Sequence, residues 1–259
     1  MDDLRIVRDG PIATLVLNRP NKHNAITIEM WRTIPGALRG LEHDPSIRVL
    51  VVRGAGEEAF ASGADISEFE RERSDVHAAR TYSATVAGAE RALANFPRPT
   101  IAMIHGFCVG GGLELALACD LRWAAQSARL GVTAARLGIV YSVEATRRLT
   151  SIVGPAHARD LLYSGRLVDA DAALAMGLVN RVCASDRLEP DAYEYAWGLA
   201  QQAPLSQRGA KLMLQHWPGE GELTQDELAE IVDRAYESAD YREGVRAFLE
   251  RRAPTFRGE

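Results

Sequence analysis

Thr100-Ile101-Ala102-Met103-Ile104-His105-Gly106-Phe107-Cys108-Val109-Gly110-Gly111-Gly112-Leu113-Glu114-Leu115-Ala116-Leu117-Ala118-Cys119 is the most apolar stretch of this 259-residue chain. It is long enough for a membrane span, but His105, Glu114 and four glycines interrupt it, so it reads as a buried strand, a turn and a helix. The strand is Thr100 to Ile104 and the helix Gly111 to Ala118. On either side lie two further apolar strand-like runs, Arg48 to Val52, ending at Gly54, and Asp120 to Ala124. Unbroken apolar strands are expected where helices cover both faces of a sheet. A helical pattern from Asp75 to Ala94 lies between the first two runs. The alternation of strand and helix predicts a layered α/β fold with parallel strands.

Toward the N-terminus, Leu4 to Val7 and Ile12 to Leu17 are β-prone runs around Asp9-Gly10, a hairpin signal. Asn18-Arg19-Pro20-Asn21 reads as a turn. Thr27 is the expected N-cap of an amphipathic helix carrying Ile28, Trp31, Ile34, Leu38 and Leu41, which Pro35-Gly36 should kink or shorten. Beyond about Asp186 strand signals stop. Asp191 to Ala203, Ser206 to Gln215, Thr224 to Ser238 and Tyr241 to Glu250 all read as helices. The division is therefore a core over residues 1–190, for binding and catalysis, and a helical region over 191–259. There is no low-complexity segment and no fixed-period repeat.

This length buries enough surface to need no disulfide or metal staple. The net charge of -5 gives no reason to expect nucleic acid or an acidic membrane as partner. Cys108, Cys119 and Cys183 are too few and too irregularly spaced for a disulfide framework or a zinc site. The start, Met1-Asp2-Asp3-Leu4-Arg5, shows no secretory signal, and a reducing cytoplasm is the simplest setting. The six histidines show no metal-binding spacing, and His105, ending a buried strand, reads as a hydrogen-bonded core residue. No G-x-S-x-G elbow appears, against an ordinary serine hydrolase.

Two glycine-containing turns follow the strands: Ala59-Phe60-Ala61-Ser62-Gly63-Ala64-Asp65-Ile66, and His105 to Glu114. In the second, three consecutive glycines let a ligand approach the backbone with no Cβ in the way. The first N–H groups of the helix lack internal partners and suit an oxyanion. Glu114, three residues after Gly111, returns its side chain to the same face. The same glycines would equally serve tight helix–strand packing. The spacing is neither a dinucleotide fingerprint nor a Walker A loop.

Taken together, several segments resemble the crotonase (enoyl-CoA hydratase/isomerase) superfamily, in order and nearly end to end. They are Asn18-Arg19-Pro20 with Lys22 and Asn24-Ala25; Phe60-Ala61-Ser62-Gly63-Ala64-Asp65-Ile66; Gly110-Gly111-Gly112-Leu113-Glu114-Leu115-Ala116 with Cys119-Asp120; Gly177-Leu178-Val179-Asn180; and the tail from Glu243 to Phe256. The resemblance implies a spiral of ββα units with a C-terminal helical trimerisation region, as a homotrimer or a hexamer of paired trimers. It implies an acyl-CoA substrate, with coenzyme A part of that substrate and no separate cofactor or metal. An oxyanion hole would be formed by the backbone N–H groups of Ser62 and Gly111. Lys22, Ala25, Ala64, Asp65 and Ile66 would line the coenzyme A path.

The chain departs from the family pattern at one segment. Hydratases of the family use two glutamates; the first matches Glu114, but Thr133-Ala134 replaces the usual Pro-Glu pair, and Ala134 transfers no proton. Downstream, Tyr141-Ser142-Val143-Glu144-Ala145 replaces a glycine-rich run and brings two new polar candidates, Tyr141 and Glu144, near the expected acyl pocket. The Gly-Ile-Val-Tyr sequence is similar to the methylmalonyl-CoA decarboxylase branch. The reading is an enzyme that stabilises a thioester enolate, foremost for enoyl-CoA hydration or isomerisation. The alternatives are decarboxylation of a malonyl-type CoA, which needs no general base, and a non-catalytic acyl-CoA binder.

Overall fold

The computed structural model describes residues 3–216 and 223–259; Met1 and Asp2, on which part of the N-terminal reading rests, lie outside the described residues. β1 (Leu4–Asp9) and β2 (Ile12–Leu17) form the antiparallel hairpin turned at Gly10. α1 (Ile28–Glu42) starts where Thr27 accepts a hydrogen bond from the Met30 N–H. Pro35 does not shorten it, because Trp31 and Ile34 before the proline and Leu38 and Leu41 after it are buried on one face. Burial of that stripe outweighs a single missing backbone bond.

Three ββα units follow. β3 (Val49–Gly54) and β4 (Ala59–Ala61) precede the short α2 (Phe69–Glu72) and the long α3 (Val76–Ala94), which Asp75 caps. β5 (Thr100–Ile104) and β6 (Phe107–Val109) lead into α4 (Gly111–Leu117). β7 (Leu121–Ala125) and β8 (Arg129–Gly131) lead into α5 (Val143–Ser164). The remaining elements are β9 (Leu167–Asp169), α6 (Ala170–Ala175), β10 (Arg181–Cys183), α7 (Leu188–Ala200), α8 (Pro204–Gln215), α9 (Gln225–Glu237) and α10 (Ala239–Glu250).

The first strands of the units, with β1, β2 and β10, build a six-stranded sheet in the order β1-β2-β3-β5-β7-β10, parallel except for the β1–β2 hairpin. The second strands, with β9, build a four-stranded sheet in the order β4-β6-β8-β9. Alternation decides which face each side chain joins. Leu50, Val52, Ala102 and Ile104 pack with Trp31, Ile34 and Leu93 of α1 and α3. Val49, Val51, Ile101 and Met103 pack with Leu188, Ala192 and Ala196 of α7. Helices on both faces explain the unbroken apolar strands. α7 therefore belongs to the core, and the division at 190 falls inside it; the helices beyond that layer are α8 to α10.

Candidate active site

The four-stranded sheet sets its two glycine turns side by side. Gly110 ends β6 at φ +52° and ψ −117°, a conformation open only to glycine, and turns the chain sharply into α4. A Cβ on Gly112 would lie 2.4 Å from the Ala61 carbonyl oxygen, so close packing of α4 on β4 requires that glycine. Gly111 differs: a Cβ there would meet the Ala64 nitrogen and the Trp31 ring at 3.4 Å each and the Glu114 carboxylate at 3.8 Å. Gly111, Ala64, Trp31 and Glu114 thus surround one space. It is a cavity of about 160 Å³ whose walls also include Ser62, Ile66, Ala134 and Tyr141.

The backbone hydrogen bonds decide which amides face that space. The Ser62 N–H donates to the His23 carbonyl at 3.0 Å and is not open to a ligand, which corrects the assignment of Ser62 as a backbone donor. Ala64 pairs with Ile26 in a parallel bridge: the Ile26 N–H donates to the Gly63 carbonyl, and the Asp65 N–H to the Ile26 carbonyl. In a parallel bridge the middle residue's own N–H points to the other side. The Ala64 N–H is accordingly unpartnered beside Gly111, whose N–H has no backbone partner either, since Gly110 takes the Gly131 carbonyl and Glu114 takes Gly110. Bridge alternation, invisible in a one-line motif, shifts the donor two residues from Ser62.

Glu114 lies on the cavity wall one helical turn further on. Burial first, then the neighbouring Glu90 charge, pushes its carboxyl up to about 8. Tyr141 donates its hydroxyl to the Gly110 carbonyl at 3.3 Å, and burial pushes the phenol well above its ordinary value. Ala134 stands in the wall, and among the described residues Glu114 is the one carboxylate lining the cavity with it. Glu144 is elsewhere: it pairs with Arg91 of α3 at 2.7 Å and does not line the cavity. Of the residues expected along the coenzyme A path, Ala64 and Ile66 reach the cavity. Asp65 is held by Arg19 at 2.9 Å and caps the turn at Ser67, the Ala25 carbonyl accepts from Arg19, and exposed Lys22 lies off the cavity. His105 is buried as expected, but its Nε2 has no hydrogen-bond partner, and burial lowers its pKa.

Three cavity residues with buried, unpartnered polar atoms carry no signal in the sequence. Trp31 was placed in the apolar stripe of α1, yet its Nε1 is a buried donor without a partner. Tyr82 of α3 and Arg73, just after α2, carry buried polar atoms in the same condition. Arg73 lies in a segment that carries no motif, and only the packing of helices brings it to the cavity.

The model of enoyl-CoA hydratase/isomerase matches residues 8–259. The chain belongs to the enoyl-CoA hydratase/isomerase family. It is 38% identical to a putative enoyl-CoA hydratase of Thermus thermophilus, over 96% of this chain and 99% of that one. It is 32% identical to a crotonyl-CoA hydratase of Syntrophomonas wolfei, over 98% of each. The crystal structure of an enoyl-CoA hydratase/carnithine racemase from Magnetospirillum magneticum superposes with a TM-score of 0.96 at 39% identity, covering 100% of this chain and 97% of that one. The crotonase resemblance and the ββα architecture it implied therefore hold. Among the described residues no helix is long and apolar enough to cross a membrane.

Proposed function

We propose that the cavity receives the thioester of an enoyl-CoA and catalyses hydration, or the related isomerisation, through an enolate. The observation that carries this reading is the convergence of two unpartnered amides, Ala64 and Gly111, on the same space as Glu114. The thioester oxygen accepts from both N–H groups. As water oxygen bonds to the β-carbon, electron density moves onto that oxygen, where preorganised donors stabilise it. Glu114 takes the proton from water and returns a proton to the α-carbon, so one carboxylate covers two steps that paired carboxylates normally divide. Coenzyme A enters as part of the substrate, and no separate cofactor is needed. We place the enzyme in the cytoplasm.

Self-association belongs to the same reading. Phe248 and Leu249 of α10 are 83% and 75% exposed and flank an apolar groove between α8, α9 and α10. A homotrimer or hexamer would cover them.

The wall at Ala134 favours a second reading, decarboxylation of a malonyl-type CoA. Loss of CO₂ leaves its electron pair as the enolate and needs no second acid–base group. Turnover assays with enoyl-, hydroxyacyl- and malonyl-type CoA esters test these readings. Hydration is expected, weak for want of a second carboxylate, and Ala134→Glu should raise it. Turnover of malonyl-type esters alone would replace hydration by decarboxylation, and binding without turnover of any ester would leave a non-catalytic binder.

A further inference from the structure

The wall of the cavity formed by α1 and α3 carries donors that the chemistry above does not use. The Arg73 guanidinium is clamped between the rings of Phe69 and Tyr82, 4.0 Å from each centroid. It forms no ion pair among the described residues, and its Nε is buried without a partner. The Trp31 indole N–H and the Tyr82 hydroxyl are equally unpartnered, on side chains only 1% and 3% exposed. The three groups adjoin one another: Arg73 and Trp31 both bear on the ionisation of the Tyr82 hydroxyl, although neither makes a hydrogen bond of ordinary geometry with it. All three line the space that Glu114 faces, and the Arg73 charge acts on the Glu114 carboxyl, so this wall lies beside the reacting carbons.

A half-buried cation without a counter-ion, its Nε buried and unpartnered, and two buried donors without acceptors are costly, and stacking on aromatic faces offsets the cost only in part. Such groups are retained where a ligand supplies what is missing. Glu114 does not supply it, because its own carboxyl is pushed toward the neutral form. The planar fork of a guanidinium matches a carboxylate, whose two oxygens have room for further donors such as an indole N–H and a phenol. A purely aliphatic acyl chain would leave every one of these groups unsatisfied.

We propose that the acyl group bound here ends in a carboxylate, held by Arg73 with Trp31 and Tyr82, so that the enzyme selects coenzyme A monothioesters of short dicarboxylic acids. The proposal rests on the reading of the cavity as an acyl-CoA site. Arg73 acts on specificity and not on the proton transfers, which remain with Glu114.

The test separates binding from turnover. Glutaryl-CoA and 5-methylhexanoyl-CoA have the same branched outline, and only the first ends in a charge; neither can be hydrated. Isothermal titration should show glutaryl-CoA binding at least about tenfold more tightly, the size of one charge-assisted hydrogen bond. Arg73→Met should abolish the difference, and Tyr82→Phe, which keeps the stacked ring, should reduce it. In turnover, glutaconyl-CoA should exceed 5-methylhex-2-enoyl-CoA in kcat/KM, with Arg73→Met acting mainly on KM. Equal binding of the two saturated esters by the wild-type protein, or a preference that survives Arg73→Met, would overturn the inference. A binding preference for glutaryl-CoA without hydration of either enoyl ester would overturn the hydratase reading and leave the carboxylate site standing.

Discussion

The two sheets of this molecule are built from neighbouring residues and serve different ends. In the six-stranded sheet, β2, β3, β5 and β7 run five or six residues and are almost wholly buried between α1 and α3 on one side and α7 on the other. In the four-stranded sheet every strand is three residues long. Three-residue strands make few ladder bonds and bury only one or two large side chains each, such as Phe60 and Leu130. They do fix where the following turns leave the sheet, and those turns carry Ala64, Gly111 and Ala134. The long ladders lie in the first sheet, and on the proposed reading the second places the groups that react.

Substitutions can break that division. The largest effect on activity is expected at the second sheet. Gly111→Val puts methyl groups into the space between Ala64 and the Trp31 ring and should lower kcat by about 10²–10³, the cost of losing one oxyanion donor, in a protein that still folds. Unchanged turnover by the folded variant would remove Gly111 from the site. At the first sheet the expectation reverses. Leu50→Ala opens a hole at a fully buried position and should cost about 2–5 kcal/mol in denaturant unfolding while leaving kcat of the folded enzyme unchanged.

A subtler effect concerns Glu114. Its carboxyl is raised from an ordinary 4.5 to about 8, so between those values the folded protein keeps a proton that the unfolded chain has released. The stability so gained is fully present below about pH 4.5 and is lost as pH rises through 8. Thermal unfolding of Glu114→Gln should therefore fall less steeply than wild type between about pH 4.5 and 8. Identical slopes would mean that the carboxyl is not buried in its acid form. The smallest change is Tyr141→Phe. It removes one hydroxyl from the Gly110 carbonyl, worth roughly 0.5–1.5 kcal/mol, and should spare hydration. A selective loss with malonyl-type esters would instead favour decarboxylation.

The same contrast governs what could be read from the sequence. The apolar runs at Val49, Thr100 and Leu121, the cap at Thr27 and the helical pattern from Asp75 announce the large sheet and its helices, because burial on both faces leaves an unmistakable pattern. The three-residue strands leave none: Ala59–Ala61 and Phe107–Val109 read as parts of glycine turns. Gly111 and Glu114 were legible from turn chemistry and family resemblance. The choice of Ala64 over Ser62 was not, since it depends on which amides the bridge to Ile26 and the His23 carbonyl consume. Arg73, Trp31 and Tyr82 come from separate segments and meet only when α1, α2 and α3 pack.

The central claim is that Glu114, opposite the Ala64 and Gly111 donors, is the one carboxylate that moves protons in this cavity. Its most direct test is the pH profile of kcat/KM for hydration of the best enoyl-CoA substrate, in wild type and in Glu114→Gln. Acting as base, Glu114 must first lose its proton, so the wild-type profile should rise to a plateau above about pH 8. In Glu114→Gln the rate should drop by about 10²–10⁴ and the rise near 8 should vanish. A wild-type profile flat through that range, or a variant that keeps both the rate and the rise, would contradict the account.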